Sequence, residues 1–237
     1  MDLTFHLTNM TYWQKAHESD SLPQAAGDPI AVDKKGWPTL PWVPAMQRRR
    51  LSPFMKMALH CAYETSTAYN QPLATVFSSR HGDLTQTSSL LETLANNDPL
   101  SPTGFSLSVH NAVAGLFSIL NASTTPSTTI AAGQDTLAMA IVDAIAKAQQ
   151  QQAPILLVHA DQAMPSRYAD FEDERQISHA LAFIIEPTLK ANVRLTRIPS
   201  STSQPTTVPF SVAFGQNISS AQQTVTQSQD WQWKYTP

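Results

Sequence analysis

The residue types that could form a nucleophile and a base occur side by side in this sequence. Cys61 is the single cysteine, and His60 directly precedes it. Neighbouring residues on a helix do not face each other, so an imidazole at this spacing cannot activate the thiol. We therefore interpret Cys61 as a buried structural residue, and a single cysteine also excludes an internal disulfide.

A second chemically distinctive feature is the basic run Arg48, Arg49 and Arg50. Guanidinium groups bind carboxylates in bidentate geometry, so the run could dock an acidic protein. The same pattern is typical of a solvated helix face. The sequence leaves both interpretations open.

Composition argues against several classes of function. Fifteen basic and eighteen acidic residues give a net charge of -3, which supplies no field for holding a nucleic acid. The chain lacks a Cys-His cluster with zinc spacing, and we expect neither a metal nor a cofactor. The N-terminus has no basic leader, and no stretch reaches the ~20 apolar residues of a membrane span. We expect a soluble, cytoplasmic protein.

Strand and helix patterns alternate along the chain. Apolar runs predict strands at residues 5–13, 72–79, 128–132, 154–159, 179–185 and 192–198. Helical periodicity predicts helices over residues 45–69, 85–96, 111–120 and 135–150. The alternation predicts one α/β domain with a mixed, mostly parallel five-stranded sheet. We expect a Ser/Thr/Pro-rich loop at residues 200–207, then a short strand and an exposed Trp-rich end.

The helix that begins at Asp135 is apolar around most of its circumference, which predicts a largely buried central position. One stripe is the exception, because four polar residues fall on a single side at helical spacing. These residues are Thr136, Asp143, Lys147 and Gln150. We expect this side of the helix to meet water or a polar surface.

Two segments carry the most specific pattern, SPTGFSLSVHNAVAGLFSILN at residues 101–121 and PSTTIAAGQDTLAMAIVDA at residues 126–144. They resemble β-ketoacyl synthases, in which a strand ends in a tight elbow that carries the nucleophilic cysteine. Many matches at fixed separation are more specific than one short motif. The matching positions are Ser101, Pro102, Asn111, Ala114, Gly115, Ile119, Pro126, Ser127, Ile130 and Ala131.

The resemblance implies a thiolase-like fold and places Gln134 at the nucleophile position. A cysteine at a helix N-terminus ionises readily, whereas a neutral carboxamide can form neither a thiolate nor a thioester. Glutamine here is what the resemblance leads one to expect of chain length factors, the inactive partners of β-ketoacyl-ACP synthases in type II polyketide and aryl polyene systems. We therefore expect a non-catalytic subunit that forms a heterodimer with a synthase.

The catalytic histidines of the family lie in a second, C-terminal repeat of the fold. This sequence is about half the family's usual length, so we expect residues 1–237 to form one N-terminal-like domain, a half-fold without that repeat. A sheet edge and an apolar helix face left without cover predict that the isolated chain is poorly soluble. Co-expression with a synthase should rescue it.

The resemblance also implies a set of site residues near the family's dimer contact. The expected tunnel and interface residues are Gly104, Phe105, Ser108, Val109, Ala112 and Gln134. They either border an acyl tunnel at the interface or simply pack against the partner. If they border the tunnel, enlarging Gly104 or Ala112 should shorten the product without abolishing turnover.

Other residues receive plainer interpretations. The three arginines at 48–50 become candidates for docking an acyl carrier protein, beside the solvated-face alternative. His110 is interpreted as a packed or capped histidine. Asp161 follows a strand where the family often carries glutamate, and we interpret it as structural.

Two alternative functions stay open. A synthase-like protein with glutamine at the nucleophile position could decarboxylate malonyl-ACP and so supply starter units. The missing histidine-bearing half argues against this, because an enolate requires oriented donors. The chain could also be a purely structural subunit that keeps the synthase soluble.

Overall fold

The structure is a computed structural model that describes residues 1–16, 30–198, 208–220, 224–228 and 230–237. The loop expected at residues 200–207 lies outside the described residues. Within them, no single helix has the length and hydropathy to cross a bilayer. Only two short helices that bend by 102° relative to each other, Pro102–Ser108 and Ala112–Leu120, meet that test when they are taken together.

An eight-stranded sheet forms the centre of the described structure. Its spatial order is β3-β2-β4-β5-β1-β6-β8-β7. The strands are β1 (Asp2–Gln14), β2 (Ala74–Ser78), β3 (Ser127–Ile130), β4 (Ile155–Asp161), β5 (His179–Glu186), β6 (Val193–Arg197), β7 (Thr224–Ser228) and β8 (Trp231–Tyr235). β2 lies between β3 and β4 and pairs with both in parallel, while every other neighbouring pair is antiparallel.

The expected mostly parallel five-stranded sheet is therefore wrong in both strand number and direction. Parallel neighbours need a covering crossover connection, and helices in the connections from β2 to β3 and from β3 to β4 provide it for the two parallel pairs. The connection from β4 to β5, residues 162–178, contains a 3-10 turn (Ser166–Phe171) and no α-helix. The chain consequently returns antiparallel at β5, and β1, β6, β8 and β7 beyond it in the sheet also pair antiparallel with their neighbours.

Seven α-helices accompany the sheet in the described residues. They are α1 (Ala45–Arg48), α2 (Pro53–Ser66), α3 (Leu84–Ala95), α4 (Pro102–Ser108), α5 (Ala112–Leu120), α6 (Thr136–Gln151) and α7 (Phe210–Ser219). The single helix expected over residues 45–69 is thus two helices. Proline has no N–H for the preceding turn, so Pro53 begins a new helix, and the Ser52 hydroxyl caps it by accepting from the Met55 N–H at 3.1 Å.

The helices cover both faces of the sheet. On one face α2 and α5 bury Phe54, Phe77 and Phe117 in a common core. On the other face α6 and α7 bury a second core that includes Ile141 and Phe214. The sheet therefore separates two hydrophobic layers, as expected for a helix-sheet-helix sandwich.

The polar stripe of α6 is only partly exposed. Thr136 is buried, and Gln150 is exposed. Asp143 and Lys147 form an i,i+4 ion pair, and both bond to the Thr128 hydroxyl on β3. This side of the helix therefore meets the polar edge strand as well as water.

The expectation of an exposed Trp-rich end is wrong. Trp231 and Trp233 are fully buried, because alternate side chains of β8 face α7. Their ring centroids lie 6.4 Å and 5.2 Å from that of Phe210. α7 can approach the sheet closely because Gly215 lies against the Tyr12 ring, where a Cβ would collide.

We predict that Trp231 makes a large contribution to stability. Replacing it with alanine leaves a cavity, so the free energy of unfolding should fall by about 3–5 kcal/mol. The Trp231→Phe variant keeps most of the ring and loses the Nε1 hydrogen bond to Asp135 Oδ1 at 2.8 Å, so the fall should be about 1–3 kcal/mol. Denaturant unfolding measures both values.

The matched control is Val225→Ala on the neighbouring strand β7, where the side chain is exposed and the change should stay within about 0.5 kcal/mol. If Trp231→Ala and Val225→Ala had equal effects, the C-terminal end would not belong to the core.

Candidate functional site

The turn between β3 and α6, residues 131–135, is called the elbow below. After β3 ends at Ile130, Gly133 adopts a φ of +59°, a conformation that favours glycine. The Thr136 hydroxyl accepts from the Ala132 N–H at 2.9 Å and donates to the Gly133 carbonyl at 2.7 Å. These bonds make the chain turn sharply from the strand into the helix, with Gln134 in the turn.

Gln134 is exposed at the elbow, and its carboxamide is held by a carboxylate. Its Nε2 donates to Asp173 Oδ2 at 3.1 Å. An amide has no acidic proton to lose at neutral pH and no lone pair comparable to a thiolate. The geometry at residue 134 therefore provides a hydrogen-bonding group and no nucleophile.

The connection from β4 to β5, residues 162–178, crosses beside the elbow and is called the strap below. Arg80, which follows β2, binds the strap through Asp173, with Nη1 to Oδ1 at 2.9 Å and Nη2 to Oδ2 at 2.7 Å. Arg80 Nη1 also donates to Glu174 Oε1 at 3.0 Å. The hydrogen bonds from Arg80 are the main reason that the pKa of Asp173 lies below its ordinary value.

A buried polar cluster lies under the strap at the carboxyl end of β4. Asp161 Oδ1 accepts from the Ser79 hydroxyl and from the Arg80 N–H, both at 2.8 Å. Asp161 Oδ2 lies 3.2 Å from His159 Nε2, and His159 Nδ1 lies 3.0 Å from the Ser78 hydroxyl. Burial alone raises the pKa of Asp161, but the attraction of His159 and the Ser79 hydrogen bond hold it well below its ordinary range.

His179 extends this cluster across the β4-β5 pair, where it is the register partner of Asp161. Its Nδ1 lies 2.8 Å from the Ile177 carbonyl, and its Nε2 lies 2.6 Å from the Ser211 hydroxyl. Burial is the main cause that lowers the pKa of His179 to about 4, His159 lowers it further, and Asp161 opposes the shift. A neutral imidazole is therefore built into the core.

The sequence interpretation found Asp161 as a structural residue and missed the histidines and serines around it. A signal was present, because Ser78, Ser79, His159 and Asp161 all stand at the ends of two predicted strands. Carboxyl ends of parallel strands meet at one edge of a sheet, so polar residues there come together. In the described residues, no group of three or more His, Cys, Asp or Glu side chains is placed to hold a metal ion.

The residues expected at the tunnel and interface lie in two places. Gln134 is in the elbow, and the others lie on α4, just after it or at the start of α5. Phe105 is 59% exposed, and Val109 is about half exposed. The Ser108 hydroxyl donates to the Phe105 carbonyl at 2.8 Å, and Ala112 is half-buried beside the core under α5. His110 Nε2 between the two helices is 2.8 Å from the Ser79 carbonyl, and the Ser79 N–H donates to the carbonyl of Ile130, which directly precedes the elbow.

Gly104 differs from its neighbours, because it faces another part of the same chain. A Cβ on this residue would lie 3.3 Å from Gln86 Nε2 on α3 and 3.4 Å from Ser101 Cβ. Enlarging Gly104 therefore presses on the contact between α3 and α4. The tunnel role of Gly104, Phe105, Ser108, Val109, Ala112 and Gln134 stays a prediction.

The basic run lies on and just after α1. Arg48 Nη1 donates to the Leu40 carbonyl at 3.2 Å, while Arg49 and Arg50 are exposed. Arg50 also lines a cavity of about 350 Å³ together with Asp83 and Gly104. Docking of a carrier protein on Arg48, Arg49 and Arg50 stays a prediction.

Cys61 is fully buried in α2, and burial raises the pKa of its thiol far above the ordinary value. Burial also lowers the pKa of His60 to about 4. A buried, protonated thiol beside a neutral imidazole is not a reactive pair. This agrees with a structural role for Cys61.

We predict that stability falls as the pH falls from about 6.5 to 4. His179 has its pKa lowered to about 4, so in this range the unfolded chain binds a proton that the folded chain excludes. A difference of this size corresponds to about 3 kcal/mol between the two ends of the range. His60 contributes a slope of the same sign.

The measurement is the free energy of unfolding at several pH values for the wild type and His179→Gln. The dependence of the free energy of unfolding on pH should be about half as steep in the variant, because His60 still contributes to it. A His179→Gln slope equal to that of the wild type would show that His179 is not a buried neutral imidazole.

Comparison with solved structures gives three informative matches. One chain of a ketosynthase (ApeO) in complex with its chain length factor (ApeC), from Xenorhabdus doucetiae, matches with a TM-score of 0.79 and 25% identity. The match covers 99% of this chain and 100% of that chain. No curated protein matches the sequence.

Two further structures have low sequence identity to this chain and therefore support only the assignment of its fold. A chain of the ishigamide ketosynthase/chain length factor matches with a TM-score of 0.50 and 14% identity, covering 62% of this chain and 48% of that one. A β-ketoacyl synthase from Burkholderia phymatum STM815 matches with a TM-score of 0.54 and 10% identity, covering 69% and 53%. This chain thus spans about half the length of these two. The thiolase-like fold that the resemblance implied is confirmed.

The model of one protein family, described as the N-terminal domain of β-ketoacyl synthase, matches residues 13–234 and so almost the whole chain. The chain belongs to the family of β-ketoacyl synthase N-terminal domains.

Proposed function

We propose that this chain is a chain length factor, a subunit that forms no bonds itself, pairs with a β-ketoacyl synthase and shapes the channel that receives the product. The observation that carries the proposal is the carboxamide of Gln134 at the elbow. The full-length likeness to one chain of the Xenorhabdus doucetiae complex of a ketosynthase with its chain length factor supports it. Its product class would be an aryl polyene or another type II polyketide.

The chemistry at the elbow favours a non-catalytic subunit over a condensing enzyme. Acyl transfer requires a nucleophile, and Gln134 offers a neutral amide whose N–H group is bonded to Asp173. In this proposal the synthase partner contributes the cysteine and the histidines. This chain then acts through the shape of the surface that it presents.

The elbow also disfavours decarboxylation of malonyl-ACP. The enolate that forms on loss of carbon dioxide needs hydrogen-bond donors or positive charge directed at its oxygen. The amide donor of Gln134 is already engaged by Asp173, and Arg80 is engaged by Asp173 and Glu174. Release of carbon dioxide by the chain without its partner would nevertheless favour this alternative.

The surface that we assign to the synthase consists of the free edge of β3 with α4 and α5. Among the described residues, β3 pairs with β2 alone. The Pro126 and Ile130 carbonyls bond to β2, so alternation places the N–H and C=O groups of Ser127 and Thr129 at the open edge. Such an edge accepts a strand from another chain.

Exposed apolar side chains lie on the two helices that precede this edge in the chain. Ile119 on α5, which packs against β3, is 70% exposed, Phe105 on α4 is 59% exposed, and Val109 just after α4 is about half exposed. Large exposed apolar side chains and an open strand edge are both typical of a protein interface. The proposed occupant is the synthase subunit, which would pair at β3 and cover these residues.

The first prediction concerns association with the synthase. Ile119→Asp places a charge in the proposed interface, so the affinity for the co-purified synthase should fall at least about tenfold. Met46 is equally exposed, at 74%, but lies on α1, so Met46→Asp is the matched control and should leave the affinity unchanged. The dissociation constant of the two purified subunits is the measurement.

Equal losses from Ile119→Asp and Met46→Asp, or none from either, would contradict the assigned surface. A chain that binds no synthase at all would contradict the proposed function itself.

The second prediction concerns product length. Val109→Trp adds volume at an exposed position, so the complex should release products shortened by about one extension unit or more while it still turns over. Val32 is similarly exposed and lies far from α4 in sequence, so Val32→Trp serves as the control. Mass spectrometry of the released products gives the length distribution.

Enlarging Gly104 is a weaker test, because the added group would press on Gln86 within the same chain. If Val109→Trp and Ala112→Phe both assemble with the synthase and both leave the lengths unchanged, the chain does not set length. The alternative of a purely structural subunit would then be favoured.

A further inference from the structure

We propose that Arg80 is a positioning residue that holds the strap against the elbow and so fixes the protein surface beside Gln134. This inference rests on the proposed function, in which that surface borders the product channel of the heterodimer. Products of uniform length would then depend on Arg80, because this side chain keeps the surface in one position.

Arg80 is the point at which three parts of the chain meet. It lies two residues after the end of β2, and its guanidinium binds both oxygens of Asp173 and one oxygen of Glu174 on the strap. Asp173 Oδ2, which accepts from Arg80 at 2.7 Å, also accepts from Gln134 Nε2 at 3.1 Å. One carboxylate oxygen therefore joins the sheet, the strap and the elbow.

The guanidinium itself is held in a fixed position. Its side chain is only 15% exposed. The Arg80 N–H and the neighbouring Ser79 hydroxyl both donate to Asp161, which is paired with His159 under the strap. The buried cluster therefore anchors the backbone of Arg80, and the planar fork of the side chain transmits that position to Asp173.

Further contacts hold the strap near its two ends and at its 3-10 turn. Near its two ends the strap is closed on itself, with the Ala163 N–H donating to Ser178 Oγ and the Met164 N–H to Gln176 Oε1, each at 3.1 Å. Its 3-10 turn is tied to α3 through the ion pair of Arg167 with Glu92, in which both side chains are about half exposed. Exposed ion pairs contribute little to stability. Loss of Arg80 should therefore increase the local opening of the segment around Asp173.

The test uses the complex of this chain with its synthase, carrying Arg80→Gln. Backbone amides of residues 168–174 should exchange with deuterium about tenfold faster, because the segment opens locally. The share of the main product should fall by about half as neighbouring lengths appear, with the unfolding midpoint and synthase affinity near wild type. Arg80→Lys should behave like Arg80→Gln, since lysine keeps the charge but cannot bind both oxygens.

Two more variants make the test specific. Asp173→Asn keeps an acceptor for Gln134 and loses the charge that Arg80 binds, so it should reproduce Arg80→Gln and serves if that variant folds poorly. Arg194→Gln breaks the exposed ion pair with Asp2 on β1 and should change neither exchange at residues 168–174 nor product length.

The proposal is overturned if Arg80→Gln and Asp173→Asn assemble with the synthase but keep the wild-type length distribution. It is also overturned if their only effect is a lower stability or affinity, because a merely structural bridge would produce that. A wild-type chain that forms no complex is a different result, since it contradicts the proposed function and not the position of Arg80.

Discussion

The packing of α6 against the parallel strands is the constraint on which the site depends. Leu137, Ile141 and Ala144 are fully buried, so the helix must lie along the sheet. The chain reaches this helix from β3 through a turn that needs a positive φ at Gly133. Residue 134 is therefore held at the carboxyl end of the parallel strands whatever side chain it carries. The chemistry of the site follows from the side chain found there, which is a carboxamide.

The surroundings of the elbow are polar, in contrast to α4. Gln134 contacts Asp173, which binds Arg80, and Asp161 with its histidine neighbour supports Arg80 from below. Phe105 on α4 and Val109 just after it instead leave apolar surface uncovered. The two surfaces suit different tasks, since charged groups in a bonded network fix position and apolar groups cover a partner or a hydrocarbon chain. The elbow is therefore a rigid, hydrogen-bonded part of the fold.

The N-terminal two thirds of the fold were largely predictable from the sequence. The ends of β2, β4 and α6 were marked by proline, glycine and apolar periodicity, and the matched positions at residues 101–131 placed the elbow. Strand direction was not predictable in the same way, because the connection from β4 to β5 carries no helix, and its length alone does not reveal this. The helix α4 also escaped notice, although Ser101 before Pro102 is a typical helix start.

The C-terminal part was misread for a different reason. Phe210, Phe214 and Ile218 recur at helical spacing, and Trp231 and Trp233 alternate at strand spacing, so both signals were present. Neither signal entered the prediction of an exposed Trp-rich end. In the structure these residues pack against each other and cover the sheet beside α6. The contact of Arg80 with Asp173 was not predictable, because a hydrogen bond between residues far apart in the sequence leaves no local pattern.

The central claim is that bond formation belongs to another polypeptide, since the elbow of this chain carries an amide. The most direct measurement incubates the complex of this chain and its synthase with an acylated carrier protein, then records the intact mass of each subunit after an acid quench. The account predicts an added acyl mass on the synthase and an unmodified mass for this chain. An acyl group bound covalently to this chain would contradict it.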